Sequence, residues 1–142
     1  MSRGFVLDAS STLPWCFPDE ATPWTETLLD RLAGGEPALV PAHWPTEVMN
    51  GLVMAMRRGR VSLDKVQEFV EVLSDLPLQI ETAHPPQTWP PILALAQRHR
   101  LSAYDAAYLE LARRENLPLA TLDGDLQVAA RADGVSLLEI SR

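Results

Sequence analysis

Four acidic residues in this chain occupy equivalent places relative to the strands and helices that the sequence predicts. Asp8 and Asp123 each come at the end of a short apolar run, and Glu47 and Asp105 lie in the opening turns of predicted helices. In a parallel α/β protein, the carboxyl ends of the strands and the starts of the helices that follow them face one crevice. We therefore expect these four carboxylates to lie close together.

A cluster of carboxylates favours a particular chemistry. Carboxylates that lie close together repel one another, and their pKa values rise unless a cation neutralises them. Oxygen-only ligands suit the hard cations Mg²⁺ and Mn²⁺, which also bind phosphate oxygens. Such a site can lower the pKa of a bound water, hold a phosphodiester and neutralise the leaving oxygen. The pattern therefore predicts metal-dependent phosphoryl or phosphodiester chemistry.

Each of these acids also has a structural interpretation, which stays open when the acid is taken alone. The segment Ser102-Ala103-Tyr104-Asp105 has the pattern of a helix capping box. Glu47 in a first helical turn is favoured by the helix dipole. Asp123, beside a glycine, fits a tight turn, and Asp8 could accept hydrogen bonds from the backbone of the following serines. The set of four, rather than any one member, favours a metal site.

The elements that would position the acids alternate along the chain. Strands are predicted at residues 5–7, 38–40, 78–81, 119–121 and 135–140, and helices at 11–17, 23–33, 45–58, 63–73, 92–98, 102–112 and 126–132, with a turn-rich connection at 84–91. This alternation implies a parallel sheet covered on both faces. The sequence therefore predicts one three-layer α/β/α domain over residues 1–142.

The bulk composition is that of an ordinary globular protein. Of the 142 residues, 46% are hydrophobic and 22% are charged. No apolar run approaches the roughly 20 residues that span a bilayer, and the first residues lack the order of a signal peptide. A single cysteine, Cys16, excludes an internal disulfide and a cysteine-based zinc cluster. We therefore expect a cytoplasmic protein.

The net charge limits the interpretation further. A formal charge of -7 argues against a general nucleic-acid coat protein, which needs a basic face. It leaves a nuclease open, because a divalent metal can neutralise clustered acids. Arginines are grouped at residues 57–60, 98–100 and 113–114. These groups fit solvated helix ends that offset the helix dipole, and contact with phosphate is the alternative.

Four segments, in chain order, resemble the motifs of one family. They are FVLDASSTLPW, WPTEVMNGL, LSAYDAAYLELA and LATLDGDL, and each contains one of the four acids. Taken together, in this order and in a domain of this size, they resemble a PIN-domain ribonuclease. More narrowly, the chain is similar to the VapC toxins of bacterial type II toxin–antitoxin pairs.

The resemblance implies a set of catalytic acids that hold the metal and a set of polar supporting residues. The acids are Asp8, Glu47, Asp105 and Asp123, with Asp125 able to share or replace the role of Asp123. The supporting residues are Ser10, Asn50 and Thr121. Trp15, Trp24 and Trp44 lie near the expected binding groove, and burial in the core is the favoured role for at least two of them.

The resemblance also implies an activity and partners. The expected activity is that of an endoribonuclease that depends on Mg²⁺ or Mn²⁺ and cuts RNA, with tRNA and rRNA the usual targets of its relatives. Family members form homodimers and have no membrane partner. They are silenced by a small VapB-type antitoxin, whose C-terminal segment lies along a groove that leads to the acids.

Other functions fit the residues less well. A receiver domain needs a late lysine, but Lys65 is the only lysine, and an aspartyl phosphatase needs an aspartate where Ser10 stands. A PIN-domain protein that acts in RNA processing, or as a non-catalytic binding module, is the remaining alternative. The three histidines have no metal-type spacing with one another. Tyr104 and Tyr108 follow a helical apolar stripe and are predicted to be packing residues.

Overall fold

A parallel sheet of four strands forms the centre of the protein. The structure is a computed structural model that describes residues 4–82 and 84–139. The strands are β1 (Phe5–Leu7), β2 (Ala38–Val40), β3 (Leu78–Ile80) and β4 (Leu119–Ala120), in the spatial order β3-β2-β1-β4. The side chains of β1, β2 and β4 are buried, as expected for strands covered on both faces.

Helices connect these strands, and the predicted three-layer α/β/α fold is confirmed. The helices are α1 (Ala9–Thr12), α2 (Pro23–Ala33), α3 (Trp44–Arg57), α4 (Leu63–Ser74), α5 (Pro85–His99), α6 (Ala103–Glu115) and α7 (Gly124–Ala132), and two short 3₁₀ turns, Leu13–Trp15 and Pro18–Glu20, follow α1. Hydroxyl side chains cap three of the helices, at Thr22, Ser62 and Ser102. Within the described part of the chain, no helix combines the length and the apolar character needed to cross a membrane.

The strand order creates a switch point beside β1. The chain runs from β1 to β2 to β3 in one direction, and it then crosses to the other side of β1 to form β4. With right-handed connections, this reversal places helices on both faces of the sheet. The crevice outside the carboxyl ends of β1 and β4 is therefore the expected binding position in a fold of this class. Asp8 directly follows β1 and Thr121 directly follows β4, so both residues lie at this crevice.

Helix α6 is the element on which the core is built. It lies against β1 and β4 and packs between α5 and α7. Ala106 and the continuous run 108–112 are buried, so the helix is enclosed on more than one face. The prediction that Tyr104 belongs to this packing is wrong, because its side chain is 64% exposed. It stands in the first turn of α6, beyond the contact with the sheet.

Helix α5 is longer than the sequence predicts. The predicted turn-rich connection at 84–91 is wrong, since the helix begins at Pro85. Pro85 and Pro86 are compatible with a first turn, where the missing N–H has no helical acceptor. Pro90 and Pro91 lie inside the helix and cost it hydrogen bonds. Packing along α6 overrides this local preference.

The predicted closing strand at 135–140 is reduced to a single bridge in the described residues. Leu137 pairs in parallel with Leu119, whose N–H donates to Ser136 O at 2.9 Å. The N–H of Leu138 donates to Leu119 O at 2.8 Å. Ile140 lies outside the described residues. The outer side of β4 is therefore covered by a short segment rather than by a fifth strand.

A close contact fixes α3 against the first 3₁₀ turn. A Cβ atom at Gly51 would lie 2.6 Å from Leu13 Cδ1, which is closer than two carbon atoms pack. The glycine therefore lets the turn that follows α1 lie directly on α3. Because Asp8 precedes α1 and Glu47 lies on α3, this contact helps to set the relative position of two of the predicted site residues.

An ion cluster anchors the end of α5 to the end of α7. Asp133, which follows α7 directly, has a side chain that is only 8% exposed. Its Oδ1 accepts a hydrogen bond from Arg98 Nη1 at 2.8 Å, and its Oδ2 contacts His99 Nε2. Burial acts to raise the pKa of Asp133, but His99 and Arg98 stabilise the carboxylate and hold the pKa below its ordinary value.

We expect Asp133→Asn to destabilise the protein at neutral pH by about 1–3 kcal/mol, since it removes charge-assisted hydrogen bonds. A carboxylate with a lowered pKa stabilises the fold above its ordinary pKa, near 4, and this contribution is lost as the pH falls through the still lower folded value. The difference between variant and wild type should therefore shrink toward pH 3. Urea unfolding at both pH values measures it.

A matched control is Asp75→Asn, because Asp75 holds the same position after α4 but is exposed. This variant should unfold like the wild type. Equal urea midpoints for Asp133→Asn and Asp75→Asn at neutral pH would contradict the anchoring role of the cluster.

Candidate active site

Asp8 is a buried carboxylate held by two hydroxyl groups. It directly follows β1, and only 2% of its surface is exposed. Its Oδ2 accepts hydrogen bonds from Ser10 Oγ at 2.8 Å and from Thr121 Oγ1 at 2.6 Å. Burial raises the pKa of Asp8 most strongly, the two hydroxyls lower it, and the charge of Glu47 raises it; the net pKa lies above the ordinary value.

The same two hydroxyls also hold the loop after β4. Ser10 Oγ accepts a hydrogen bond from the N–H of Leu122 at 3.0 Å, and Thr121 Oγ1 accepts one from the N–H of Asp123 at 3.0 Å. Each hydroxyl thus donates to Asp8 and accepts from the backbone of this loop. The carboxylate of Asp8 and the backbone of Asp123 are consequently fixed relative to each other.

Asp123 serves as the N-cap of α7. Its Oδ1 accepts a hydrogen bond from the N–H of Leu126 at 3.0 Å, a normal capping interaction. One oxygen of Asp123 thus has a structural role, as a helix N-cap rather than in the tight turn that the sequence suggested. Asp125, in the first turn of α7, is exposed.

Glu47 is oriented by a tyrosine that the sequence assigned to packing. The hydroxyl of Tyr108, a buried residue of α6, donates to Glu47 Oε1 at 2.7 Å. His43 Nε2 lies 3.4 Å from the same oxygen. Burial acts to raise the pKa of Glu47, but His43 and Tyr108 stabilise the carboxylate and lower the pKa overall. Burial, together with the charge of Asp8, raises the pKa of Tyr108, which keeps it a hydrogen-bond donor.

Asp105 shows that the four acids influence one another. Ser102 Oγ accepts a hydrogen bond from the backbone N–H of Asp105 at 3.1 Å, so this cap uses the backbone rather than the carboxylate. Burial raises the pKa of Asp105 to about 6, assisted by the charges of Asp8, Asp123 and Glu47. Asp8, Glu47 and Asp123, which the sequence placed at matching junctions, are thus near enough to Asp105 for their charges to raise its pKa.

The remaining predicted site residues lie at different distances from this cluster. Ser10 and Thr121 contact Asp8 directly. Asn50 is exposed on α3 and lines a cavity together with Glu47. Asp125 is not among the charges that raise the pKa of Asp105.

Two residues beside the acids were missed by the sequence reasoning. His43 immediately precedes α3, and its ring centroid lies 5.1 Å from that of Tyr108. The only sequence signal for His43 was its position four residues before Glu47, which places the two on one helix face. For Tyr108 there was no such signal, since its partner lies 61 residues away in the chain.

The chemistry of the cluster fits a divalent cation. Among residues 4–82 and 84–139, no three carboxylate, imidazole or thiol groups stand close enough together to hold a metal ion in the arrangement the structure has. The four acids nevertheless offer only oxygen donors, which suit Mg²⁺ or Mn²⁺ ions that retain several waters. The raised pKa of Asp105 means that ionisation of this carboxyl is unfavourable in the metal-free site. A bound cation would favour the ionised form.

The fold and the site define an α/β protein with an acidic centre at the switch point of a parallel sheet. The sequence model of the PIN domain matches residues 5–132. The chain therefore belongs to the PIN domain family.

Individual relatives agree with this assignment. The chain is 28% identical over 121 residues to Ribonuclease VapC3 of Pyrobaculum aerophilum, a match that covers 85% of this chain and 90% of the relative. The crystal structure of PAE2754 from the same organism has a TM-score of 0.70 at 21% identity and covers 91% and 86% of the two chains. The Sarcin-Ricin loop cleaving toxin VapC20 of Mycobacterium tuberculosis has a TM-score of 0.60 at 16% identity, with 98% and 100% coverage.

We expect Asp105→Asn to stabilise the metal-free protein at neutral pH. A carboxyl with a raised pKa contributes stability that is fully present below its ordinary pKa, near 4, and is lost as the pH rises through the folded value of about 6. The variant avoids this loss. Allowing for solvent screening, it should be more stable than the wild type by about 1 kcal/mol at pH 7.5 in EDTA, with a smaller difference at pH 5.

Thermal unfolding in EDTA at both pH values measures this effect. The control is Asp64→Asn, which removes an exposed aspartate from the first turn of α4 and should give no gain. A loss of stability in Asp105→Asn at pH 7.5 would show that its carboxylate is satisfied by the protein rather than repelled by its neighbours.

Proposed function

We propose that this chain is a VapC-type toxin, a metal-dependent endoribonuclease that acts in the cytoplasm as a single PIN domain over residues 1–142. The observation that carries the proposal is the buried Asp8, held by Ser10 and Thr121 at the switch point; its charge, with those of Glu47 and Asp123, acts on Asp105. Membership of the PIN domain family and the similarity to Ribonuclease VapC3 support it.

In this proposal the four acids hold the metal. Asp8, Glu47, Asp105 and Asp123 would bind Mg²⁺ or Mn²⁺, with Asp125 near enough in sequence to share the role of Asp123. When bound, the ion supplies Lewis-acid chemistry: it makes a bound water more acidic and neutralises charge on the phosphodiester. Without a cation, four ionised carboxylates repel a phosphate group. RNA binding at the site is therefore coupled to metal binding.

The surrounding residues keep the acids in place for this task. The hydroxyls of Ser10 and Thr121 both bind Asp8 Oδ2, which fixes the rotation of the carboxylate. Tyr108 does the same for Glu47 through Oε1. Groups that are held before the substrate arrives need no rearrangement during the reaction.

The RNA is proposed to be tRNA or rRNA, as a relative with this fold is described as a Sarcin-Ricin loop cleaving toxin. We also propose that the chain forms a homodimer. The acids act on the phosphodiester that all RNA shares, so the choice of RNA depends on contacts outside the four carboxylates.

A groove next to the acids is proposed to receive a VapB-type antitoxin. A cavity of about 790 Å³ lies between α2 and α7 and extends from Trp24 and Arg131 to Thr121, the partner of Asp8. The exposed Leu122 also lines this cavity. A peptide in this groove would end beside the acids, where it could exclude RNA.

The three tryptophans near the predicted groove differ in burial and in position. Trp44 is buried, whereas the prediction favoured burial for at least two of the three. Trp15 and Trp24 are half-buried, and their indole N–H groups donate to Thr25 O at 2.7 Å and Leu138 O at 3.2 Å. Of the three, Trp24 lines the groove.

We expect Asp8→Asn and Asp105→Asn to reduce RNA cleavage by at least about 100-fold, the scale lost when a preorganised charged group is removed from an active site. Purified protein is incubated with total tRNA and rRNA, with EDTA and then with added Mg²⁺ or Mn²⁺, and the products are separated on gels. Asparagine preserves the side-chain shape, so circular dichroism should show an intact fold.

Asp64→Asn serves again as the control and should cleave like the wild type. Full metal-dependent cleavage by both Asp8→Asn and Asp105→Asn would remove these residues from the site. Cleavage by the wild type that persists in EDTA would argue against the metal.

We expect a short reading frame upstream of this gene, slightly overlapping it, to encode the antitoxin. Induced expression of the chain should arrest growth, and co-expression of the short frame should relieve the arrest. Sequencing of RNA ends after induction identifies the target.

Purified Leu122→Arg should bind the antitoxin less tightly, because it places a charge in the apolar groove.

Val128→Arg is the matched control. Val128 lies in α7 and, like Leu122, is an exposed apolar residue, but it does not line the groove. Equal binding of the antitoxin by both arginine variants would place the antitoxin elsewhere.

A further inference from the structure

A second cavity opens beside Glu47 and Asp105, and it shares no lining residue with the antitoxin groove. Its volume is about 390 Å³, within the range of about 300–1,000 Å³ that small-molecule sites occupy. One wall comes from α3, with Thr46 and Asn50, and the other from the start of α6, with Ser102 and Tyr104. Glu47 and Asp105 also line this cavity, which makes it continuous with the acidic centre.

Tyr104 is the unexpected member of this wall. It is the first large side chain of α6, yet it is 64% exposed, although burial of an aromatic ring is favourable. His43 is its ring neighbour, with centroids 5.4 Å apart and planes inclined by 58°. His43 in turn lies against Tyr108. Tyr104 thus rests on a supported aromatic surface and still presents part of its ring to the cavity.

The polar groups of the cavity favour a ligand that is flat, uncharged and able to form hydrogen bonds. Glu47 and Asp105 oppose the entry of an anionic group, but they do not oppose an uncharged aromatic ring. Asn50 is exposed here and offers both a donor and an acceptor, and Thr46 offers a hydroxyl. Unpaired nucleobases combine an aromatic face with donors and acceptors at their edge.

We propose that this cavity is a nucleobase subsite, in which one unpaired base of the RNA stacks on Tyr104 while the phosphodiester beside it reaches the acids. The inference rests on the proposed ribonuclease function and adds to it a contact that holds the base beside the cut. Asn50 then reads the edge of the base. Stacking on an aromatic side chain tolerates every base, so the subsite selects unpaired structure more than sequence.

The test measures RNA affinity separately from cleavage. The cleavage-deficient Asp8→Asn protein is titrated, in Mg²⁺, with a fluorescent single-stranded RNA of about 12 nucleotides, and the same titration is made with Tyr104→Ala and Tyr104→Phe added. Loss of one stacking contact should weaken binding by about 5- to 150-fold in Tyr104→Ala. Tyr104→Phe keeps the ring and should stay within about twofold of the parent.

Two controls separate stacking from other effects. Trp89→Ala removes an aromatic residue that is 67% exposed on α5 but lies outside the cavity, and it should leave the affinity unchanged. A ribose-phosphate oligomer of the same length without bases should bind Tyr104→Ala and the parent equally. In the cleavage-competent background, Tyr104→Ala should raise KM for single-stranded RNA with little change in kcat.

The outcomes are distinct. Unchanged RNA affinity and KM in Tyr104→Ala would overturn the subsite, as would equal losses in Tyr104→Ala and Tyr104→Phe, which would assign the effect to the hydroxyl. An arginine-rich peptide is titrated against the same variants. If Tyr104→Ala weakens binding of this peptide but leaves the RNA affinity unchanged, the nucleobase subsite is overturned and the cavity is assigned to a cationic peptide. A wild type that neither binds nor cleaves RNA would instead reject the proposed function together with this inference.

Discussion

The interaction on which the site depends is the pair of hydrogen bonds that Ser10 and Thr121 donate to one oxygen of Asp8. A buried carboxylate is costly unless it is hydrogen-bonded, and here its partners come from both sides of the switch point. Both hydroxyls also accept hydrogen bonds from the backbone after β4. The two groups that stabilise the buried carboxylate of Asp8 therefore also hold the loop after β4 in place. The geometry of the acidic centre is thus part of the fold itself.

The electrostatics of the centre work against the fold that creates it. Asp105 has its pKa raised to about 6 by burial and by the three acids around it, which means that the ionised site is destabilising in the absence of a cation. The destabilisation is balanced elsewhere, by the enclosed helix α6 and by ion clusters such as the one at Asp133. Proteins commonly hold strained or repulsive groups at functional sites in this way.

The sequence was sufficient for the fold and for the positions of the acids, because both follow from local patterns. Asp8, Glu47 and Asp105 stand at strand ends or helix starts, and parallel topology brings such junctions together. The partner of Glu47 could not be predicted, since Tyr108 reads as a packing residue and only its hydroxyl, at the end of a buried ring, reaches the acid. The length of α5 could not be predicted either, because its prolines favour a break and the contact with α6 that outweighs them is not visible in the sequence.

The N-cap formed by Asp123 has a consequence for how the protein can change over generations. Asparagine and serine cap a helix about as well as aspartate, and one nucleotide change converts an aspartate codon into an asparagine codon. At this position, a charge can therefore be lost with α7 preserved. Under the proposed function, Asp123→Asn is thus a change that removes one acid of the site and leaves the fold intact, whereas the same change at Asp8 replaces a carboxylate that accepts two buried hydrogen bonds.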